Sequence, residues 1–98
     1  MDETPTVQKR NYTVRGTVTR NGQPITDVTL ELRSTVKTAV TDVNGKVAFY
    51  NVNCGKHSLT AIKNGKVIGY FEFMLSESTA ANFGLENNGI YVVTANRN

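Results

Sequence analysis

Thr41-Asp42-Val43-Asn44-Gly45-Lys46-Val47-Ala48-Phe49 is a polar turn set between two short apolar alternations, and its reading decides the fold. Asn44-Gly45 supplies two residues that tolerate positive φ, and the Asp42 carboxylate can accept from backbone N–H groups two residues further on. Together they predict a β-turn joining two strands. Beyond it Val47 and Phe49 share one face of a strand, and Val52 continues that face towards Asn53-Cys54-Gly55. The stretch carries turn chemistry and no reaction chemistry.

Working backwards from the turn, Val36, Thr38 and Val40 read as one strand, and Val28, Leu30 and Leu32 alternate with Thr29, Glu31 and Arg33 in another. Tyr12, Val14, Gly16 and Val18 face one side of a first strand, with Thr13, Arg15, Thr17 and Thr19 on the wet side. Pro24, which cannot donate to a central ladder, lies in the turn after it. Working forwards, Lys56 to Lys63 forms a strand, and Lys63-Asn64-Gly65-Lys66 is a type I′ hairpin signal. Val67, Phe71, Phe73 and Leu75 then point inward, with Tyr70 and Glu72 outward. After a polar break from Ser76 to Ala80, Phe83 and Leu85, then Ile90 and Val92, make two last strands around Asn87-Asn88-Gly89.

Asn-Gly thus recurs at Asn21, Asn44, Asn64 and Asn88, each time between strand-like runs, and no window has helical periodicity with caps. The spacing predicts an all-β sandwich or barrel over 11–98, preceded by a polar, aperiodic tail or linker over 1–10. The expected core is Val14, Val18, Leu30, Leu32, Val40, Phe49, Leu59, Phe71, Phe73 and Phe83.

Composition narrows the function. Apolar residues at 39% and charged residues at 19% are those of an ordinary globular domain, and 98 residues suit one core. The net charge of +3 comes from Lys and Arg scattered singly among acids, so no nucleic-acid footprint is formed. One cysteine, Cys54, excludes an intrachain disulfide. Met1-Asp2-Glu3-Thr4-Pro5 is acidic where a signal peptide is basic, and no run reaches membrane-spanning length. Membrane insertion is not expected and a monomer is; the chain reads either as cytoplasmic or as a domain cut from a longer exported protein.

Several motifs occur in order: Arg15-Gly16-Thr17-Val18; Asn21-Gly22-Gln23-Pro24-Ile25 with Val28-Thr29-Leu30; Thr41-Asp42-Val43-Asn44-Gly45-Lys46-Val47 with Phe49; then Val52, Gly55 and Leu59-Thr60-Ala61. Over residues 14 to 61 the chain therefore resembles the carboxypeptidase regulatory-like domain. It is similar also to the Cna B-type repeats of bacterial surface adhesins, which share the transthyretin-like, or prealbumin-like, sandwich. The resemblance implies a seven- to eight-stranded antiparallel Greek-key β-sandwich. It gives Gly16, Pro24, Thr41, Asp42, Gly45, Phe49 and Gly55 as structural motif positions. It also implies a non-catalytic spacer, display or adhesion module of a larger exported or cell-surface protein, located outside the cell, with neighbouring domains of the parent polypeptide as its partners. Two positions depart from the family pattern: His57 stands where a Tyr is usual, and Cys54 where the loop often holds Pro.

Candidate sites are few. Cys54 and His57 are three residues apart, but zinc needs four ligands and the chain holds no other Cys or His. Asp42 and Asn44 are a weak calcium candidate, lacking a third carboxylate and a downstream bidentate Glu; an Asx-turn is the structural alternative. No Ser-His-Asp set, carboxylate pair or Gly-rich phosphate loop is readable, so neither catalysis nor a cofactor is expected. Tyr50 and Tyr70 project to solvent by alternation, as does either Ile90 or Tyr91 according to register. These tyrosines are candidates for stacking on a glycan or small ligand, or for a protein surface. The leading expectation is a structural and interaction module, with a carbohydrate-binding module as the alternative.

Overall fold

The strands form where β-branched and aromatic residues alternate with polar ones. The computed structural model describes residues 11–33, 36–76 and 79–97, and over these the chain is all-β. Its strands are β1 (Asn11–Arg20), β2 (Gln23–Pro24), β3 (Thr29–Leu32), β4 (Lys37–Val40), β5 (Lys46–Asn53), β6 (Gly55–Lys63), β7 (Lys66–Leu75), β8 (Ala80–Leu85) and β9 (Gly89–Arg97). Eight of them match the expected runs, and the two-residue β2 is the addition. The segment 1–10, expected to be a tail, lies outside the described residues.

Two antiparallel sheets result. In the first, β1 is flanked on one side by β9 and then β8, and on the other by β5 along most of its length and by β2 at its end. In the second the order is β4-β3-β6-β7. Their inner faces supply one core, including Val14, Val18, Leu30, Leu32, Phe49, Leu59, Phe73 and Tyr91, with Phe71 and Phe83 packed against it.

Several details differ from the sequence reading, among them Thr13, which is buried rather than on the wet face of β1. Val40 is 53% exposed, and Ala39 takes the inward place. The cause is register: Ala39 lies opposite the buried Leu30, and neighbours across a ladder face the same way. Val36 is exposed and precedes β4 at φ 43°, so it belongs to the turn. Val67 is exposed and Ile68 buried, because the β6–β7 register shifts between Ala61 and Ile62. That β-bulge flips which residue faces the core. On β9 the register, which the sequence leaves open between Ile90 and Tyr91, turns Tyr91 and Val93 inward and leaves Ile90 and Val92 exposed.

The Asn-Gly dipeptides do different jobs. Asn21-Gly22 and Asn64-Gly65 have both residues at positive φ and close two-residue hairpins. At 44–45 only Gly45 is left-handed, while at 87–89 the left-handed residues are Asn87 and Asn88. A second bulge explains how Val52 rejoins the face of Val47 and Phe49. Asn51 sits at φ 56°, and the β1–β5 register shifts between Tyr12 and Val14.

An aromatic seam closes the β7 and β8 side of the sandwich. Phe71 stacks on Phe83 at 4.1 Å and on Tyr91 at 5.6 Å, and Phe73 tilts against Phe83 and against His57. The Tyr91 ring lies over Gly16, where an added Cβ would come within 2.2 Å of it. Burial pushes the Tyr91 phenol well above the ordinary tyrosine range, and its hydroxyl has no hydrogen-bond partner among the described residues. With the folded pKa raised, this group's stabilisation is complete below the unfolded value near 10 and is lost as pH climbs above it. Tyr91→Phe should therefore leave stability at pH 7 within about 1 kcal/mol of the parent. Above pH 10 it should spare a loss of roughly 1.4 kcal/mol per pH unit. Urea denaturation at both pH values checks this, and equal alkaline losses in the two proteins would refute it.

Candidate functional site

The turn at 41–46 carries the structural chemistry of the chain. Buried Thr41 donates its hydroxyl to the Ile25 carbonyl at 2.8 Å and accepts the Val28 N–H at 3.0 Å, pinning the loop ahead of β3. Asp42 Oδ1 accepts the N–H groups of Asn44 at 2.8 Å and Lys46 at 2.9 Å, and the Gly45 N–H closes the β-turn on the Asp42 carbonyl. The turn thus wraps N–H donors round a carboxylate, which is the geometry of an Asx-turn. A hard cation would want converging oxygens instead. The turn is not a hairpin, since it carries the chain from β4 in one sheet to β5 in the other.

The structure separates Cys54 from His57. The thiol is exposed, while the imidazole is buried against Phe73 with Nε2 2.6 Å from the Asn53 carbonyl. Among the described residues no group of three or more His, Cys, Asp or Glu side chains converges.

Tyr50 and Tyr70 both face solvent, but on the outer faces of different sheets, so they cannot share one ligand. Tyr70 lies on β7 beside Thr60. Charges on that half of the molecule are largely met locally, through Arg33–Glu31 at 3.5 Å, Lys56–Glu72 at 3.4 Å and, at the β7 end, Lys66–Glu86 at 3.2 Å.

The setting of Tyr50 is different. On the outer face of the first sheet, Arg15 lies between Thr94 and Ala48, and Thr17 between Val92 and Lys46. Lys46, Ala48 and Tyr50 follow one another on the same side of β5, where small Ala48 leaves a low floor between two long side chains. The result is an open trough of about 500 Å³ lined by these residues and, at one end, by Asp42. Neither Arg15 nor Lys46 forms an ion pair or a side-chain hydrogen bond with any described residue. β1 is paired on both sides beneath the trough, so over β1 a ligand would meet side chains rather than free backbone groups; the edge left unpaired among the described residues is that of β5.

Of the trough residues, sequence reading singled out Tyr50 as a binding candidate and Asp42 for its turn. Arg15 was legible only as a wet-face residue, and the register that sets it beside β5 and β9 is not visible locally. The chain matches no family model, no curated protein and no solved structure. The resemblance to regulatory-like and adhesin repeats rests on the motifs alone.

Proposed function

We propose that the chain is a non-catalytic interaction module of the display or adhesion type, carried by a larger exported or cell-surface protein. The observation that supports this most is the pairing of its first and last strands. β1 and β9 run antiparallel, with Tyr12 opposite Arg97 and Arg20 opposite Gly89. The described chain therefore enters and leaves at one end of the sandwich. A spacer strung between flanking domains would need its ends at opposite poles, so display suits this arrangement better than spacing. Both outer faces and the far loops are then held away from the point of attachment.

The test is an insertion. Placed through Asn11 and Asn96 into a surface loop of a carrier protein, the domain should keep its own cooperative denaturation transition and leave the carrier folded. It should also turn over no ester, phosphate, glycoside or peptide substrate. Loss of the transition on insertion, or turnover that tracks the purified domain, would overturn the reading.

A further inference from the structure

We infer that the trough on the outer face of the first sheet is a binding site for an acidic polysaccharide, with Arg15 and Lys46 holding its anionic groups and Tyr50 packing on a sugar ring. The inference deepens the interaction-module reading and rests on it. Charge is the first argument. Cations elsewhere on the described surface are largely taken up, by Glu31, Glu72 and Glu86 or by backbone carbonyls as at Arg20 and Lys63. Arg15 and Lys46 stand about one strand apart with no such partner. Asp42, the one acid on the lining, already holds two N–H groups on Oδ1.

Chemistry is the second argument. A guanidinium fork donates two parallel N–H bonds to a carboxylate or sulfate, and an ammonium adds a second point charge. Thr17 and Thr94 bring hydroxyls within the same trough, and the Tyr50 ring, 57% exposed, offers an apolar face with a polar tip. An extended acidic peptide suits the site less well, because such ligands take main-chain hydrogen bonds from a sheet edge. Here the edge open to such a peptide is that of β5, which would set it beside β5 rather than over β1, where Arg15 and Thr17 stand. The spacing of Lys46, Ala48 and Tyr50 along β5 runs to roughly 13 Å, which fits an extended chain rather than a single small anion.

The experiment is a titration of the isotopically labelled chain, followed by amide NMR shifts. Its arms are uronic-acid oligosaccharides, sulfated oligosaccharides, neutral oligosaccharides of the same length, and polyglutamate. Either acidic oligosaccharide should shift amides of Arg15, Thr17, Lys46, Tyr50 and Thr94, and the preferred arm identifies the anion. Neutral oligosaccharides should bind at least about tenfold more weakly, and salt near 0.5 M should abolish most of the binding. Arg15→Ala, Lys46→Ala and Tyr50→Ala should each weaken it about five- to tenfold. Tyr70→Ala, on the opposite sheet, should leave it unchanged. All four side chains are exposed, so the thermal transitions of the variants should match the parent's. Polyglutamate binding as tightly as the sugars, shifts confined to another face, or no binding by either acidic arm would each overturn the site. A silent titration would leave the insertion result standing, whereas turnover would overturn the module reading without bearing on the trough.

Discussion

Phe49→Ala should lower the unfolding free energy by about 3–5 kcal/mol, the range for removing a buried aromatic ring from a packed interior. The ring is 3% exposed, faces inward from β5 and lies opposite Val14, which is itself fully buried. Val14 and Val52 beside it are fully buried in the same packed core, so little is free to move in and fill the space. Domains of this size hold roughly 5–15 kcal/mol in total. The variant should therefore unfold at a much lower denaturant concentration with an unchanged slope. A loss below about 1 kcal/mol would place the ring away from the centre of the core.

Gly45→Ala should cost about 2–4 kcal/mol, from two separate terms. The residue sits at φ 72°, a region where an L side chain is strained. Its Cβ would also fall 2.4 Å from the Val18 carbonyl oxygen and 3.1 Å from the Ile25 nitrogen, both backbone atoms. These cannot swing aside, because the Val18 N–H donates to the Gly45 carbonyl at 2.7 Å and the Ile25 N–H donates to the Val18 carbonyl at 3.0 Å. Gly65 isolates the first term, since its φ of 76° is nearly the same and nothing lies within 4 Å of its added Cβ. Gly65→Ala should cost only about 1–2 kcal/mol. Equal losses at the two positions would show that the contact with β1 contributes nothing.

How much of this was legible in the sequence depends on whether a feature is local. Turn chemistry and two-residue alternation are local, so β1, β3, β5 and β6 and most of the core could be read from the residues. The outward placement of Tyr50 and Tyr70 was readable in the same way. Register is not local. Nothing around Val40 says that its neighbour Ala39 will sit opposite Leu30, and the alternation of Val36, Thr38 and Val40 suggests an apolar face that pairing overrides. Bulges are likewise invisible in alternation. At Ile68 and Asn51 one extra residue resets the parity, so Val67 turns outward and Val52 turns inward. The trough was hidden for the same reason, being assembled from β1, β5 and β9 by two registers. Its cations are separated by some thirty residues in the chain, and neither is unusual where it stands.

The shared end of β1 and β9 also decides how the domain meets force. Tension applied through residues 11 and 97 would act across the ladder at its open end. It would load the Tyr12–Arg97 pair first and pass to Thr13–Asn96 only once that pair had parted. Hydrogen bonds pulled apart in succession resist far less than the same bonds sheared together along the strand direction, so this sandwich would unzip from its attachment point at low force. The arrangement is tolerable where a domain hangs to one side of the line of tension and would fail early within it.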